Sequence, residues 1–119
     1  YGSNPMKDPK ILLAHILESI ECIEASIATV NDEGFYSSVE KQDAVERRLA
    51  IIGEVVRNLS VELKEKYSEI PWKNIAAMRN LLIHEYFDVS LKQVWIAVTV
   101  DIPKLKKVVQ EMIQALSES

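Results

Sequence analysis

Residues 44–59 read AVERRLAIIGEVVRNL and carry an apolar side chain at every turn of a helix. The apolar positions alternate in steps of four and three, which is typical of a buried helical face and is close to a heptad seam. They are Val45, Leu49, Ile52, Val56, Leu59 and Leu63. Gly53 interrupts the series and costs about 1 kcal/mol relative to alanine. We expect this glycine to permit a close helix contact, either within the domain or across a dimer.

The sequence on the amino-terminal side predicts a first helix. This helix begins at Asp8 as its N-cap, has Pro9 in its first turn and ends in residues 31–34. The second helix, which contains the stretch quoted above, begins near residues 37–38 and fades around residues 66–67. Both helices carry apolar residues at helical spacing on one side.

Two more helices are predicted on the carboxy-terminal side. The third has Pro71 in its first turn and runs to about Phe87, and the fourth is capped by Ser90 and continues to Leu116. Pro103 removes one helical hydrogen bond, so we expect a kink or a short break there. Four helices with short connections predict an all-α, antiparallel four-helix bundle.

Length and composition favour one ordinary globular domain. The chain has 119 residues, 48% of them hydrophobic and 27% charged, which suits a single core. We expect residues 6–119 to form that domain, with residues 1–5 as an expression remnant or a disordered segment. The net charge of −4 argues against a protein that coats nucleic acid over a broad basic surface, but it permits a small basic cleft.

The sequence shows no signal of membrane insertion or export. No apolar run approaches the length of about 20 residues that spans a bilayer, and no signal peptide precedes Met6. Cys22 is the single cysteine, so an intrachain disulfide is impossible and a cytoplasmic location is favoured. Metal-ligand spacing is absent, and we predict no metal and no cofactor.

Four reactive side chains crowd the predicted third helix: Arg79, Asn80, His84 and Tyr86. Together these groups can bind a phosphate, orient a hydroxyl, move a proton and accept a modification. His15 is the only other histidine. If the protein performs acid–base chemistry near neutral pH, His84 is the residue that we expect to carry it.

A helical wheel divides this helix into two sides. At about 100° per residue, Lys73, Asn80 and His84 form one polar stripe, and Arg79 and Tyr86 share its edge. The opposite side should face the core and consists of Ile75, Met78 and Leu82. This arrangement predicts a shallow site on a helix surface.

A structural explanation of the same residues stays open. Asn80 and His84, one turn apart, could form a hydrogen bond on an exposed face. Arg79 could pair with Glu85 or with an acidic residue of the second helix. Spacing alone does not decide between a site and an ordinary polar surface.

The ordered set of motifs resembles the HEPN family, and specifically its HepT type, over nearly the whole chain from Met6. The motif at residues 79–86 matches the family pattern of arginine, spacer, histidine, any residue and tyrosine. Glu85 departs from it, since many relatives carry glycine there. The other similar blocks are residues 42–45, 51–54, 70–72, 94–95 and 101–105.

The resemblance implies a homodimer in which two copies of the motif face one cleft and act as a metal-independent endoribonuclease. In this interpretation His84 is a general base or acid, Arg79 binds the scissile phosphate and Asn80 positions His84 or the phosphate. Lys73 would support the contact with RNA. The expected products are a 2′,3′-cyclic phosphate and a 5′-hydroxyl.

The resemblance also implies a toxin–antitoxin pair, in which a minimal nucleotidyltransferase is the antitoxin. In similar pairs that enzyme adds AMP to the tyrosine of the motif, which is Tyr86 here. Simple packing of Tyr86 is the alternative. Two other hypotheses remain: a catalytically weak HEPN module that binds a nucleotidyltransferase, and a helical dimer without chemistry.

Overall fold

The computed structural model describes residues 8–84 and 90–118, and these residues contain helices and no strand. The helices are α1 (Pro9–Ile27), α2 (Asp32–Tyr36), α3 (Val39–Asn58), α4 (Val61–Lys66), α5 (Trp72–His84), α6 (Leu91–Ile96) and α7 (Ile102–Glu118). A π-helical segment, Ala97–Asp101, joins α6 to α7. The predicted all-α bundle is confirmed. Residues 1–5, predicted to precede the domain, lie outside the described part.

The first helix begins where the sequence predicts. The Asp8 carboxylate accepts a hydrogen bond from the backbone N–H of Lys10 at 2.9 Å, and Pro9 is the first residue of α1. A proline is tolerated there because its missing N–H would have no helical partner. The buried face of α1 contributes Leu13, Ile16, Ile20 and Ile23 to the core.

The predicted end of this helix is wrong by about one turn. α1 ends at Ile27, and residues 31–34 begin α2 instead of terminating α1. The side chain of Asn31 accepts a hydrogen bond from the N–H of Gly34 at 2.9 Å, so it caps a new helix. That short helix places the fully buried ring of Phe35 in the core.

The second predicted helix begins correctly but is two helices. Ser38 caps α3 by accepting a hydrogen bond from the N–H of Lys41. α3 then ends at Asn58, because Leu59 has extended backbone and Ser60 caps α4 through the N–H of Leu63 at 3.1 Å. The apolar series continues across this break because the side chain of Leu59 stays buried.

The last predicted helix contains the irregularity expected near Pro103. Ser90 caps α6 as predicted, and the π-helical segment ends just before α7, in which Pro103 is the second residue. The N–H of Ile102 bonds to the carbonyl of Ala97, five residues earlier. A proline crowds the carbonyl four residues before it, and the wider π turn accommodates this crowding without ending the helix.

Gly53 brings α3 and α5 together inside the bundle. A Cβ atom at Gly53 would lie 2.9 Å from the Cβ of Arg79 and 3.0 Å from the carbonyl oxygen of Ile75. Because that carbonyl belongs to the backbone, a side chain here would force the two helices apart. The expected close helix contact is therefore within the domain.

In the described residues, no helix is long and apolar enough to cross a membrane.

We predict that Gly53→Ala destabilises the fold. Overpacking against α5 costs about 1–3 kcal/mol, which exceeds the roughly 1 kcal/mol that alanine gains over glycine in a helix. The free energy of unfolding, measured in urea, should fall by about 1 kcal/mol. A stabilised variant, as expected for an unconstrained helical glycine, would contradict this account of the contact.

Candidate functional site

α5 is fixed at its start by Trp72. The indole ring is buried, and its Nε1–H donates to the carbonyl oxygens of Lys64 at 3.1 Å and Tyr67 at 3.0 Å. Further along α5, Leu82 is buried in the core, while Ile75 and Met78 are partly buried and pack against it. The predicted core side of this helix is confirmed.

The polar side of α5 is open where it is described. Lys73 and Asn80 are exposed, and the side chain of Arg79 is 30% exposed at the edge. The backbone of His84 belongs to the last turn of α5, while its side chain and all of Tyr86 lie outside the described residues. The catalytic and modification roles of these residues therefore stay predictions.

Arg79 pairs with the helix that α5 crosses. Its Nε lies 2.8 Å from Oε2 of Glu54 on α3, and its Nη1 donates to the side-chain oxygen of Asn80 at 3.2 Å. Of the two ion pairs considered from sequence, the structure shows the one with an acidic residue of the second predicted helix. The other involves Glu85, which lies outside the described residues. Arg79 and Asn80 are also brought into direct contact.

The exposure of this ion pair limits its contribution to stability. The side chain of Glu54 is 49% exposed and that of Arg79 is 30% exposed. Pairs in contact with solvent contribute about 0–1 kcal/mol. The pair therefore adds little to the stability of the contact between α3 and α5.

A shallow groove of about 410 Å³ opens between α3 and α5 beside Arg79. Its lining contains two cations, Arg47 and Arg79, two carboxylates, Glu46 and Glu54, and an apolar floor. The floor consists of Ala50, Ile51 and Leu82. A guanidinium at the edge of an open groove can meet a phosphate, and the apolar floor can meet a base or a second protein surface.

The environment of Glu46, which lines the groove, shifts the pKa of its carboxyl. Burial of the half-buried side chain, and then the negative charge of Asp43, raise the pKa of the Glu46 carboxyl above its ordinary value. Both effects disfavour the charged form. The described residues contain no cluster of three or more His, Cys, Asp or Glu side chains that could hold a metal ion.

Sequence reasoning missed Glu46 and Glu54 as residues of this site. Their positions next to Arg79 depend on how α3 crosses α5, which a helical wheel of one helix cannot give. One signal was present for Glu54, since it follows Gly53, the residue expected to mark a close helix contact. A residue next to a close helix contact lies near the facing helix, so a charged side chain there can reach an opposite charge on that helix.

Comparison with known proteins finds a family model that matches most of the sequence. Residues 16–112 match the family model described as "HepT-like: Ribonuclease HepT-like". The chain is 42% identical to a "Putative RNase" of Caldanaerobacter subterraneus over 109 residues, which are 92% of this chain and 97% of that protein. It is also 42% identical to a "Probable ribonuclease HepT" of Thermococcus cleftensis over 97 residues, covering 82% of this chain and 88% of the other.

Another relative is a longer protein. A Methanocaldococcus jannaschii protein named "Gamma-glutamylcyclotransferase and putative RNase" is 48% identical over 113 residues, or 95% of this chain. The chain spans 51%, about half, of the length of that relative. No solved structure is significantly similar to this chain.

We predict that Glu46→Gln stabilises the protein at neutral pH more than at acidic pH. A carboxyl with a raised pKa binds its proton more tightly in the folded state, so ionisation opposes folding as the pH rises. Glutamine removes that penalty. Unfolding in urea at pH 7 and at pH 4 measures it, and an equal change at both pH values would contradict the burial of this carboxylate.

Proposed function

Because this chain belongs to the HepT-like ribonuclease family, we propose that it is an endoribonuclease that cleaves RNA without a metal ion. The observation that carries the proposal is the placement of Arg79. Its guanidinium lies at the edge of an open groove and in contact with Asn80. Arg79 also precedes His84 by five residues on the same helix. An arginine and a histidine at this spacing supply the cation and the proton carrier that RNA cleavage needs.

The proposed reaction uses the RNA as its own nucleophile. The ribose 2′-oxygen attacks the neighbouring phosphorus and gives its proton to a base, while the bond from phosphorus to the 5′-oxygen breaks and that oxygen gains a proton. The products are a 2′,3′-cyclic phosphate and a 5′-hydroxyl. Such a reaction needs a base, an acid and a cation for the extra negative charge of the transition state.

Each predicted residue has a place in this reaction. His84 transfers protons, and Arg79 binds the scissile phosphate. Asn80, whose side-chain oxygen accepts a hydrogen bond from Arg79, keeps the guanidinium near the stripe. Lys73 is exposed two turns earlier on α5, about 10 Å along the axis from Asn80. Lys73 would therefore contact a different phosphate of the same strand.

One protomer is an incomplete site, because the motif offers a single histidine for two proton transfers. In a symmetric homodimer, two copies of α5 facing one cleft would supply two histidines and two arginines. The apolar floor of the groove, Ala50, Ile51 and Leu82, lies beside Arg79 and offers a surface for such contact. We therefore propose a composite site shared by two protomers.

The proposed partner is a minimal nucleotidyltransferase that acts as antitoxin, with both proteins in the cytoplasm. The phenol oxygen of Tyr86 would attack the α-phosphorus of ATP, and pyrophosphate would leave. Tyr86 follows Arg79 by seven residues in the sequence. AMP at this position would bring bulk and negative charge close to the place where RNA phosphate binds, and both effects would block cleavage.

A second candidate function is an interaction module that binds a nucleotidyltransferase without cleaving RNA. The ion pair between Arg79 and Glu54 at 2.8 Å favours it, because the carboxylate already neutralises the guanidinium. The net charge of −4 points the same way. Partner binding together with no cleavage by freshly purified, unmodified protein would select this function.

We predict that His84→Ala abolishes RNA cleavage, with a loss of at least about 100-fold. Cleavage of a labelled RNA in excess EDTA measures it, and circular dichroism checks that the helices are intact. Mixing the wild-type protein with an excess of His84→Ala should lower its cleavage, since a heterodimer keeps only one of the two histidines that the composite site needs. Wild-type activity in His84→Ala would remove this residue from the mechanism.

We predict that Tyr86→Phe prevents neutralisation while leaving cleavage in place, because only the hydroxyl that accepts AMP is lost. Intact mass of protein co-expressed with its nucleotidyltransferase should show one or more AMP units on the wild type and none on the variant. An AMP adduct on Tyr86→Phe would assign the modification to another residue.

A further inference from the structure

We propose that Glu54 is a positioning residue, which holds the Arg79 guanidinium in the orientation needed to meet an RNA phosphate. The inference rests on the proposed ribonuclease function and extends the site from α5 to α3. It assigns a task to a carboxylate whose negative charge, by itself, would disfavour RNA.

The geometry of the contact leaves the phosphate-binding end of Arg79 available. The shortest contact that Glu54 makes with Arg79 is to Nε, at 2.8 Å, rather than to one of the terminal nitrogens. Of the five N–H groups of an arginine, four are on those terminal nitrogens. In the described part of the chain, Asn80 is their one hydrogen-bond partner, through Nη1. The planar end of the guanidinium therefore keeps donors for a phosphate while its inner edge is held.

The backbone also supports a fixed orientation. Gly53, the residue before Glu54, is buried, and a Cβ atom there would lie 2.9 Å from the Cβ of Arg79 and 3.3 Å from its backbone nitrogen. The two residues that form the ion pair thus start from backbone segments in contact. A pair anchored in this way loses less side-chain freedom than two long side chains that meet on an open surface.

Glu54 has a second cationic neighbour, which does not compete for the same role. Nη1 of Arg57, three residues later on α3, lies 3.7 Å from the same carboxylate oxygen. That distance is too long for a hydrogen bond, and the Arg57 side chain is 52% exposed. The short contact with Arg79 is the one that fixes a direction.

Positioning and simple electrostatics predict opposite results when the charge of Glu54 is removed. If the carboxylate only repels phosphate, its loss strengthens RNA binding and raises kcat/KM. If the carboxylate orients Arg79, its loss lets the guanidinium turn away from the transition state, and kcat falls. The sign of the change therefore separates the two roles.

The experiment compares steady-state cleavage of a short RNA by the wild-type chain, Glu54→Gln and Glu54→Asp. We expect kcat to fall about ten-fold or more in Glu54→Gln, with KM unchanged or lower. Glu54→Asp keeps the charge but withdraws the carboxylate by one methylene group, so kcat should fall there as well. Glu40→Gln, an exposed change of the same charge in the first turn of α3, is the matched control and should keep the wild-type kcat.

A second comparison asks whether Glu54 acts through Arg79. In an Arg79→Lys background the planar guanidinium is gone, so adding Glu54→Gln should cause no further fall in kcat. A further fall of the same size as in the wild-type background would show that Glu54 acts by another route, and it would overturn the positioning role.

The outcomes distinguish this inference from the function on which it rests. If the wild-type protein cleaves RNA and Glu54→Gln keeps or exceeds its kcat, the positioning role is overturned and the ribonuclease function stands. If the wild-type protein does not cleave RNA, both are overturned. If Glu54→Gln fails to fold by circular dichroism, a folded Glu54→Asp with wild-type kcat also overturns the inference.

Discussion

The contact between α3 and α5 at Gly53 is the constraint on which the rest of this structure depends. With no side chain at this residue, the backbone of α3 reaches the backbone of α5 at Ile75 and Arg79. That approach sets the position of α5 on the bundle and decides which carboxylate meets Arg79. The core and the candidate site are therefore joined at one point, and a change in helix spacing would alter both.

Much of the fold could be predicted because its signals are local. Asp8, Ser38 and Ser90 each cap a helix through a backbone N–H within three residues, and such bonds depend only on neighbouring sequence. The helix ends that were predicted wrongly were placed by apolar periodicity and not by a local cap. Asn31 and Ser60 are equally good caps, but apolar periodicity continued past them. Periodicity reports which side chains are buried, and it does not report whether the backbone between them bends.

In the candidate site, too, the features set by a single helix could be predicted and those set by contact between helices could not. The wheel of α5 gave the polar stripe and the place of Arg79 at its edge, since both follow from one helix. The contact of Arg79 with Glu54, and the presence of Glu46 in the groove, depend on how two helices cross. Such pairings need a distance between segments far apart in sequence, here from residue 54 to residue 79. The residue pattern within a single helix does not give the distance between two helices.

The π-helical segment Ala97–Asp101 changes which side of α7 faces the bundle, because it alters the rotation of the chain about the helix axis. Each residue of an α-helix turns the chain by about 100°, so a segment that departs from α geometry offsets α7 relative to α6. Val94, Val98 and Ile102 are all buried, so with this offset α6 and α7 both keep an apolar face on the core. Loss of one residue there would leave α6 and α7 helical, yet one of them would present a different face to the bundle.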